Sequence, residues 1–535
     1  MWPQTYDPVG GSLQLSALVA VLPVFVVLVV LGVFRKPAWV AAMSGFVTSA
    51  IVSVTAYHMP LPLAVSAAVY GAAYGILPIG WIVFTAILLY RITVETGKFE
   101  IIKDSLGHIT KDRPVQALLI AFCFSGFIEA AAGFGTPVAI AAAMLVGLGF
   151  EPFFAASICL LANTVPVAFG SIGIPIVMLG GVTKLPLENL SADVGRLCAP
   201  FSLILPSYLM LVMGGLPALR AALPAALVCG LAFSGIQLVV STYIGPLLTG
   251  ILSAVGAMCA MLLLLKFWTP PGERGETRIA SRHTPGEVFL AWSPYLMLVI
   301  FVLIWGNAST KAILDKVTVI IPWPGLHNMI QRMPPITAAP APYAATYTLN
   351  LLSAAGTSCL FAVFAACIVL RVSPARFFKV LGATARQLAL PLLTIASVLA
   401  LAYIMNYSGQ TATLGLVMSA TGVAFPFFSA LLGWLGVFLT GSDTAANGLF
   451  GTLQVVTGTS LGLNPALMAS ANSAGGVLGK MISLQSIAVA AAATGMARSE
   501  ESKLLRFTLR HSVFLVCMMG LLTLFFAYVE PGWVK

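Results

Sequence analysis

The sequence predicts an all-α, polytopic membrane protein with about 12 to 14 transmembrane helices, in two repeated halves with broken helices or re-entrant hairpins. The first observation is composition: of 535 residues, 59% are hydrophobic and only 8% are charged. Soluble proteins carry roughly 25% charged residues. The second is a succession of long apolar runs, and the third is an acidic motif that occurs twice within apolar sequence.

The apolar runs give the predicted elements in chain order. Single spans are predicted at 13–34, 38–57, 63–90, 288–305, 348–370, 387–405 and 511–529, with crowded apolar stretches at 115–266 and 411–496. The first run has no basic residue ahead of it, and many spans follow. It therefore indicates a mature transmembrane helix and not a cleaved signal peptide.

Two polar segments divide the chain. Residues 270–287 are predicted to be a cytoplasmic linker between an N-terminal transmembrane half (1–269) and a C-terminal half (288–535), each half containing one acidic motif. The proline-rich segment 305–345 is expected to form an irregular or partly ordered external loop.

The distribution of basic residues predicts the orientation in the membrane. The net charge is +10, but the basic residues lie in short loops between apolar spans, which argues against a nucleic-acid partner. These loops are 35–36, 91–113, 266–282, 371–386 and 498–510. Placing all of them in the cytoplasm follows the positive-inside rule. It predicts a multi-pass membrane protein with both termini external.

The two crowded stretches share an order of residues. Glu129 is followed after 23 residues by a proline and then by Asn163, and Asp443 is followed after 22 residues by a proline and then by Asn472. Glycine-rich runs at 169–175 and 475–480 come next. Such runs are expected to break the helices around a binding site. The alternative is that the glycines only allow close helix packing.

The two acids are the candidate proton-coupling residues. A carboxylate in the membrane costs several kcal/mol unless it is protonated, paired or hydrated, so Glu129 and Asp443 suit a group that binds and releases one proton per cycle. For Glu129 the alternative is a structural ion pair or an interfacial acid. For Asp443 it is an N-cap of the next helix.

Polar residues near the acids are the candidate substrate ligands. Lys480 is the only basic residue between Arg386 and Arg498 and could pair with a substrate carboxylate or with Asp443, although it could also snorkel to the interface. Broken-helix N-termini favour an anion, and neighbouring amides and hydroxyls would suit a small carboxylate that carries a hydroxyl. The remaining candidates are Asn163, Thr164, Asn472, Ser473, Thr444 and, more weakly, Tyr407.

Neither catalysis nor a cofactor is predicted. The eight cysteines and five histidines show no metal-ligand spacing, no phosphate-binding loop is present, and no Ser–His pair has usable spacing. The sequence therefore indicates a protein that is not an enzyme and has no metal or cofactor.

Several long motifs carry a family resemblance. They lie at 5–8, 74–82, 129–135, 146–150, 163–170, 406–409, 433–444, 479–483 and 485–488. Through them the chain resembles, over nearly its whole length, the L-lactate/glycolate permease family of bacterial 2-hydroxy-monocarboxylate:proton symporters. The resemblance implies import of L-lactate, glycolate or a related small acid across the bacterial inner membrane. The partners that it implies are the acid, protons and the lipid bilayer.

The sequence departs from the family pattern at a few positions. Ala130 and Thr136 replace an expected glycine and alanine, Leu484 replaces a proline, and alanines at 445–446 replace two serines beside Asp443. These changes leave the preferred acid open, as well as the oligomeric state. Two alternative functions also remain open: a sodium-coupled carboxylate transporter, and a proton-translocating subunit of a membrane redox complex.

Overall fold

The computed structural model describes residues 1–107, 109–133, 135–270, 283–497 and 500–534. Within these ranges, 11 helices are long and apolar enough to cross a membrane, or up to 12 if a bent pair, Pro465–Ile482 with Leu484–Thr494, counts as one span. The chain is thus a helical, multi-pass membrane protein, as predicted. Most of the predicted linker, 271–282, lies outside the described residues.

Thirteen helices precede the linker. They are α1 (Leu13–Ala20), α2 (Leu22–Gly32), α3 (Ala38–Thr55), α4 (Leu61–Tyr74), α5 (Trp81–Glu95), α6 (Lys98–Gly107), α7 (Arg113–Ala117), α8 (Ser125–Ala131), α9 (Thr136–Gly147), α10 (Pro152–Ala162), α11 (Gly170–Thr183), α12 (Leu187–Tyr243) and α13 (Pro246–Phe267). Two π-helical turns, Gly75–Gly80 and Leu118–Phe124, join α4 to α5 and α7 to α8.

Ten helices follow the linker. They are α14 (Pro285–Gly306), α15 (Ala308–Leu314), α16 (Ala355–Val369), α17 (Pro374–Ser408), α18 (Gln410–Met418), α19 (Phe425–Thr440), α20 (Asp443–Ser460), α21 (Pro465–Gly479), α22 (Leu484–Thr494) and α23 (Glu501–Tyr528). The short strands are β1 (Trp2–Pro3), β2 (Val319–Pro322), β3 (Ile330–Arg332), β4 (Ala341–Pro342) and β5 (Thr346–Leu349).

Helix α12 is a hairpin of two antiparallel arms. Its 57 residues would extend about 86 Å as one straight helix, far more than the roughly 30 Å hydrocarbon layer. The backbone leaves the helical conformation at Gly214 and Gly215, where Gly215 has φ 66°. The arms then pack on each other, and Ser234 Oγ donates to the Ala199 carbonyl over 2.8 Å. Counting the arms separately brings the number of spans into the predicted range.

The segments on either side of Asn163 occupy the centre of the molecule. In the spans Arg113–Ala131 and Val165–Thr183, 94% and 89% of an apolar stretch of 18 residues are buried, against 33% of the corresponding stretch in Leu13–Gly32. A transmembrane helix that neighbouring helices surround on all sides can hold polar groups away from lipid. The first acidic motif therefore lies where a polar site is feasible.

The molecule has two chemically different ends. The end that carries the basic loops, here called the basic end, is tied together by Arg376 Nη2, which donates to the Glu95 carbonyl, and by His283 beside Asp104 at 3.6 Å. The opposite end, here called the strand end, carries the N-terminus and all five strands.

The strand end is more ordered than the proline-rich sequence suggests. Strand β1 pairs in parallel with β3, which also pairs antiparallel with β4, while β2 pairs antiparallel with β5. The expectation of an irregular or partly ordered loop at 305–345 is therefore wrong for much of this segment. Its prolines stand at strand ends and turns, where a missing N–H costs little.

Candidate functional site

Both predicted acids line one central cavity, here called the chamber, with a volume of about 420 Å³. Its polar lining is formed by Glu129, Ser171, Thr394, Thr440, Ser442, Asp443, Thr444, Lys480, Gln485 and Ser486. The rest is mainly apolar. Two carboxyl groups and one ammonium group thus face a common space enclosed by helices of both halves.

The first half contributes Glu129 from a short, interrupted helix. Helix α8 ends at Ala131 and α9 begins at Thr136, and Glu129 is only 4% exposed. Asn163, at the end of α10, donates from Nδ2 to Glu129 Oε2 over 3.1 Å. Asn163 therefore supports the carboxylate, and among the described residues it is not part of the chamber wall.

The predicted break in the first glycine-rich run is present. Ser171, Ile172 and Gly173 all have positive φ, at 45°, 59° and 70°. This conformation costs a non-glycine residue about 1–2 kcal/mol, and such outliers concentrate at functional sites. Ser171 Oγ donates to the Ala132 carbonyl over 3.1 Å, which ties this break to the break after Glu129.

The second half presents Asp443 at the start of a helix. Helix α19 ends at Thr440, Gly441 turns the chain at φ 72°, and Ser442 caps α20 by accepting from the backbone N–H of Ala445. Ser442 and not Asp443 is therefore the N-cap. Asp443 is the first helical residue, where the helix dipole favours a negative charge.

A chain of hydrogen-bonded side chains lies behind Asp443. Ser473 Oγ donates to Asp443 Oδ2 over 2.7 Å, and Asn447 Nδ2 donates to Ser473 Oγ over 3.1 Å. Asn472 Nδ2 donates to Asn447 Oδ1 over 2.9 Å, and Gln454 Nε2 donates to Asn472 Oδ1 over 3.0 Å. Asp443 Oδ1 is buried and accepts no hydrogen bond from any described residue. One carboxylate oxygen is thus fixed and the other is unpartnered.

The second glycine-rich run does not break its helix as predicted. Helix α21 continues to Gly479, and the interruption falls at 480–483. A Cβ on Gly475 would collide with the Ala430 carbonyl, and one on Gly479 with the Trp434 carbonyl. For this run the packing alternative is correct. Asn472 and Ser473 consequently lie within a continuous helix and not beside freed backbone groups.

Lys480 follows this close packing and reaches into the chamber. Its Nζ donates to the Gly441 carbonyl over 3.1 Å, at the break before Asp443. Within the described part of the chain, no acidic oxygen lies within the 4.0 Å of an ion pair with Lys480. The chamber therefore contains an ammonium group without a carboxylate partner.

The remaining predicted ligands divide between the chamber and other places. Thr444 lines the chamber. Thr164 is buried and donates to the Leu161 carbonyl, and Tyr407 lies at the strand end, where it donates to the Ala344 carbonyl. The structure does not bring Thr164 or Tyr407 to the chamber wall.

Several polar residues at this site have no counterpart among the predicted ligands. Thr440, Ser442 and Gln485 line the chamber, and Asn447 and Gln454 support Asp443. Asn447 follows Asp443 by four residues, so helical periodicity places both on one helix face. That spacing was the available sequence signal. The position of Gln454 depends on the packing of α20 against α21, which no local sequence pattern indicates.

The chamber adjoins the basic end. A second cavity of about 600 Å³, lined by Arg91, Glu95 and Lys379 among others, shares Pro391 and Gln485 with the chamber wall. A solute that leaves the chamber past Gln485 therefore meets a cavity whose charged lining is two basic side chains, Arg91 and Lys379, and one acidic side chain, Glu95.

Toward the strand end the chamber is closed. Met178, Val398 and Leu449 line it there, and the next layer is sealed where Tyr403 donates to the Gly181 carbonyl over 3.0 Å. A polar site that is open at one end and closed at the other is what an alternating-access carrier requires.

Comparisons with known proteins show which family the chain resembles. The family model of L-lactate permease matches residues 16–530. The chain is 44% identical to the L-lactate permease of Bacillus subtilis over 98% of both chains, and 42% identical to the glycolate permease GlcA of Escherichia coli over 99% of both chains. A weaker structural similarity (TM-score 0.45, 14% identity, 87% of each chain) links it to the Alcanivorax borkumensis YdaH transporter.

Proposed function

Since the chain belongs to the L-lactate permease family, it is a transporter and not an enzyme, and we propose that it imports L-lactate, glycolate or a related small 2-hydroxy monocarboxylate by proton symport. The curated relatives are named for lactate and for glycolate. Both substrates are small anions with a hydroxyl next to the carboxylate, so one site chemistry serves both.

One observation carries this proposal: two buried carboxyl groups and one ammonium group without a carboxylate partner share a chamber that is closed toward the strand end. Lys480 supplies the positive charge for the substrate carboxylate. The hydroxyl groups of Thr440, Ser442 and Thr444 offer partners for the substrate hydroxyl. Behind the chamber wall, Asn163 donates a hydrogen bond to Glu129 and Ser473 donates one to Asp443. Asn472 supports Asp443 indirectly, through Asn447.

We assign the proton to Asp443 first and to Glu129 second. Asp443 lines the same cavity as Lys480 and has one buried oxygen that no described residue contacts by a hydrogen bond, so a proton on that oxygen neutralises the site when an anion occupies it. Moving a neutral set of groups through a low-dielectric region is far less costly than moving an isolated charge.

Stoichiometry decides the driving force. One proton per monovalent anion makes the cycle electroneutral, and each pH unit then supplies about 1.4 kcal/mol, or about tenfold accumulation. A second proton would add about 2.3 kcal/mol for every 100 mV of membrane potential.

Transport in proteoliposomes tests the proposal. An imposed pH gradient should drive accumulation of radiolabelled lactate and glycolate. A membrane voltage imposed at constant pH should leave uptake unchanged if one proton moves with each anion, and should change it if two protons move. Full uptake driven by a sodium gradient alone would show that sodium and not the proton is the coupling ion, which is the first alternative, a sodium-coupled carboxylate transporter. Membership in a permease family argues against the second alternative, a subunit of a redox complex, which would move no solute when isolated.

The proposed orientation places the strand end outside and the basic end in the cytoplasm of a bacterial inner membrane. The basic loops at one end support it through the positive-inside rule, and β1 at the N-terminus pairs with β3 at the opposite end from those loops. In this orientation the chamber opens inward. Cysteine labelling of intact cells at the N-terminus and in the 91–113 loop would test it.

A further inference from the structure

Lys184 occupies an unusual position beyond the closed end of the chamber. It directly follows α11 with φ 61°, in a left-handed conformation where a helix normally ends in glycine. The residue as a whole is exposed, while its ammonium group is turned toward a group of tyrosines. Keeping lysine here costs about 1 kcal/mol relative to glycine.

The ammonium group rests among three aromatic rings. Lys184 Nζ lies 4.4 Å from the ring centre of Tyr74, 5.2 Å from that of Tyr403 and 5.7 Å from that of Tyr70. It also donates to Tyr403 Oη over 2.8 Å. Rings of this kind hold a cation without neutralising it, so the positive charge remains available to an anion.

Donor groups at this place are left unused. An ammonium group has three N–H donors, and one of them is used by Tyr403. Across the described ranges, Lys184 has no carboxylate within ion-pair distance. The Tyr70 and Tyr403 hydroxyls donate to the Thr346 and Gly181 carbonyls, whereas no described residue accepts a hydrogen bond from the Tyr74 hydroxyl.

The position lies beyond the strand-end wall of the chamber. Met178 on α11 forms part of the chamber wall, and Lys184 caps the same helix six residues later, about 9 Å farther toward the strand end. Tyr403 likewise follows the wall residue Val398 by five residues on α17. An anion that arrives from the strand end therefore meets Lys184 before it reaches the seal.

We infer that the Lys184 ammonium and the Tyr74 hydroxyl form an outer carboxylate-binding site, which the substrate anion occupies before it enters the chamber. This inference rests on the proposed function. A carboxylate suits the site because its two oxygens accept from an ammonium and from a phenol at once.

Uptake kinetics in proteoliposomes test the site. Lys184→Gln should raise the apparent KM for external lactate about tenfold with little change in the maximal rate, because the variant loses a charge-assisted contact. Lys184→Arg should stay within about threefold of the wild type. Tyr74→Phe, which keeps the ring, should raise KM about threefold. Lys316→Gln, at an exposed lysine of the same end, is the matched control and should change nothing.

A chemical measurement complements the kinetics. A membrane-impermeant amine reagent is applied from the strand end, and modification of Lys184 and Lys316 is quantified by mass spectrometry. Lactate should protect Lys184 severalfold, leave Lys316 unprotected, and still protect Lys184 in an Asp443→Asn background, where the chamber lacks one of its two acids.

Two results would overturn the inference. One is an unchanged KM in Lys184→Gln, with a fall only in maximal rate or in protein yield, as expected if the lysine merely fastens α11. The other is protection of Lys184 that disappears with Asp443→Asn. Wild-type protein that transports neither lactate nor glycolate would refute the proposed function itself, and this inference with it.

Discussion

The two acidic motifs look alike in sequence, yet the structure supports their acids very differently. Glu129 precedes its helix break and receives one amide hydrogen bond from Asn163. Asp443 follows its break, begins a helix and stands at the end of a chain of four polar side chains. A carboxylate held on one oxygen by a fixed network is better placed to exchange a proton at the other oxygen. The comparison therefore predicts unequal roles for the two halves.

The largest effect is expected from removing the acid at Asp443. Asp443→Asn should abolish accumulation driven by a pH gradient, so that the ratio of internal to external lactate falls from about tenfold per pH unit to about one. Exchange of labelled for unlabelled lactate should persist, since it needs no net proton transfer. Glu129→Gln, the matched variant, should retain part of the accumulation. Equal loss in both variants would refute the unequal assignment.

Lys480 should follow with an effect on affinity. Lys480→Met removes a hydrogen-bonding charge, a contact typically worth about 1.5–3 kcal/mol, so the apparent KM for lactate should rise roughly 10- to 100-fold. Lys480→Arg keeps the charge and should recover much of this loss. Counterflow measurements report both. An unchanged KM in Lys480→Met would show that the lysine only fastens the Gly441 turn.

Packing behind the two acids should differ as well. A Cβ on Gly433 would collide with the backbone carbonyl of Asn472, whereas one on Gly170 would lie 2.9 Å from the movable end of Glu129. Gly433→Ala should therefore destabilise the fold by about 1–3 kcal/mol. Gly170→Ala should fold normally and alter transport.

Thermal unfolding in detergent, with uptake measured in parallel, distinguishes these outcomes. Gly235→Ala is the control, since no atom lies within 4 Å of its added Cβ. Normal stability of Gly433→Ala would show that α19 and α21 can separate at no cost.

The smallest effect should come from the supporting amides. Asn447→Leu removes the donor to Ser473 and to the Pro175 carbonyl and leaves the Asn472 amide without its acceptor. The free energy of unfolding should fall by about 1–3 kcal/mol. Asn163→Leu removes only one bond to Glu129 and should cost about 1 kcal/mol. Melting temperatures would rank them, and a reversed order would contradict the network described for the second half.

The sequence alone determined the class of protein and the approximate spans, and it singled out the two acids that line the chamber. Composition and run length report on the solvent that surrounds a helix. Because a charge in lipid is energetically costly, Glu129 and Asp443 stand out from the sequence however the helices pack. The same reasoning identified Lys480, because an isolated lysine in apolar sequence is also energetically costly.

Only the tertiary structure decided how these residues act. Local sequence made the runs 169–175 and 475–480 look equivalent, but one breaks its helix and the other lets α19 and α21 approach closely, because a glycine permits both and the neighbouring helix selects between them. In the same way, Asn472 lies in the hydrogen-bonded chain behind Asp443 and, among the described residues, outside the chamber wall. Lys184 lies beside tyrosines that are more than a hundred residues away in sequence on either side. Such contacts depend on packing between distant helices, which no local pattern encodes.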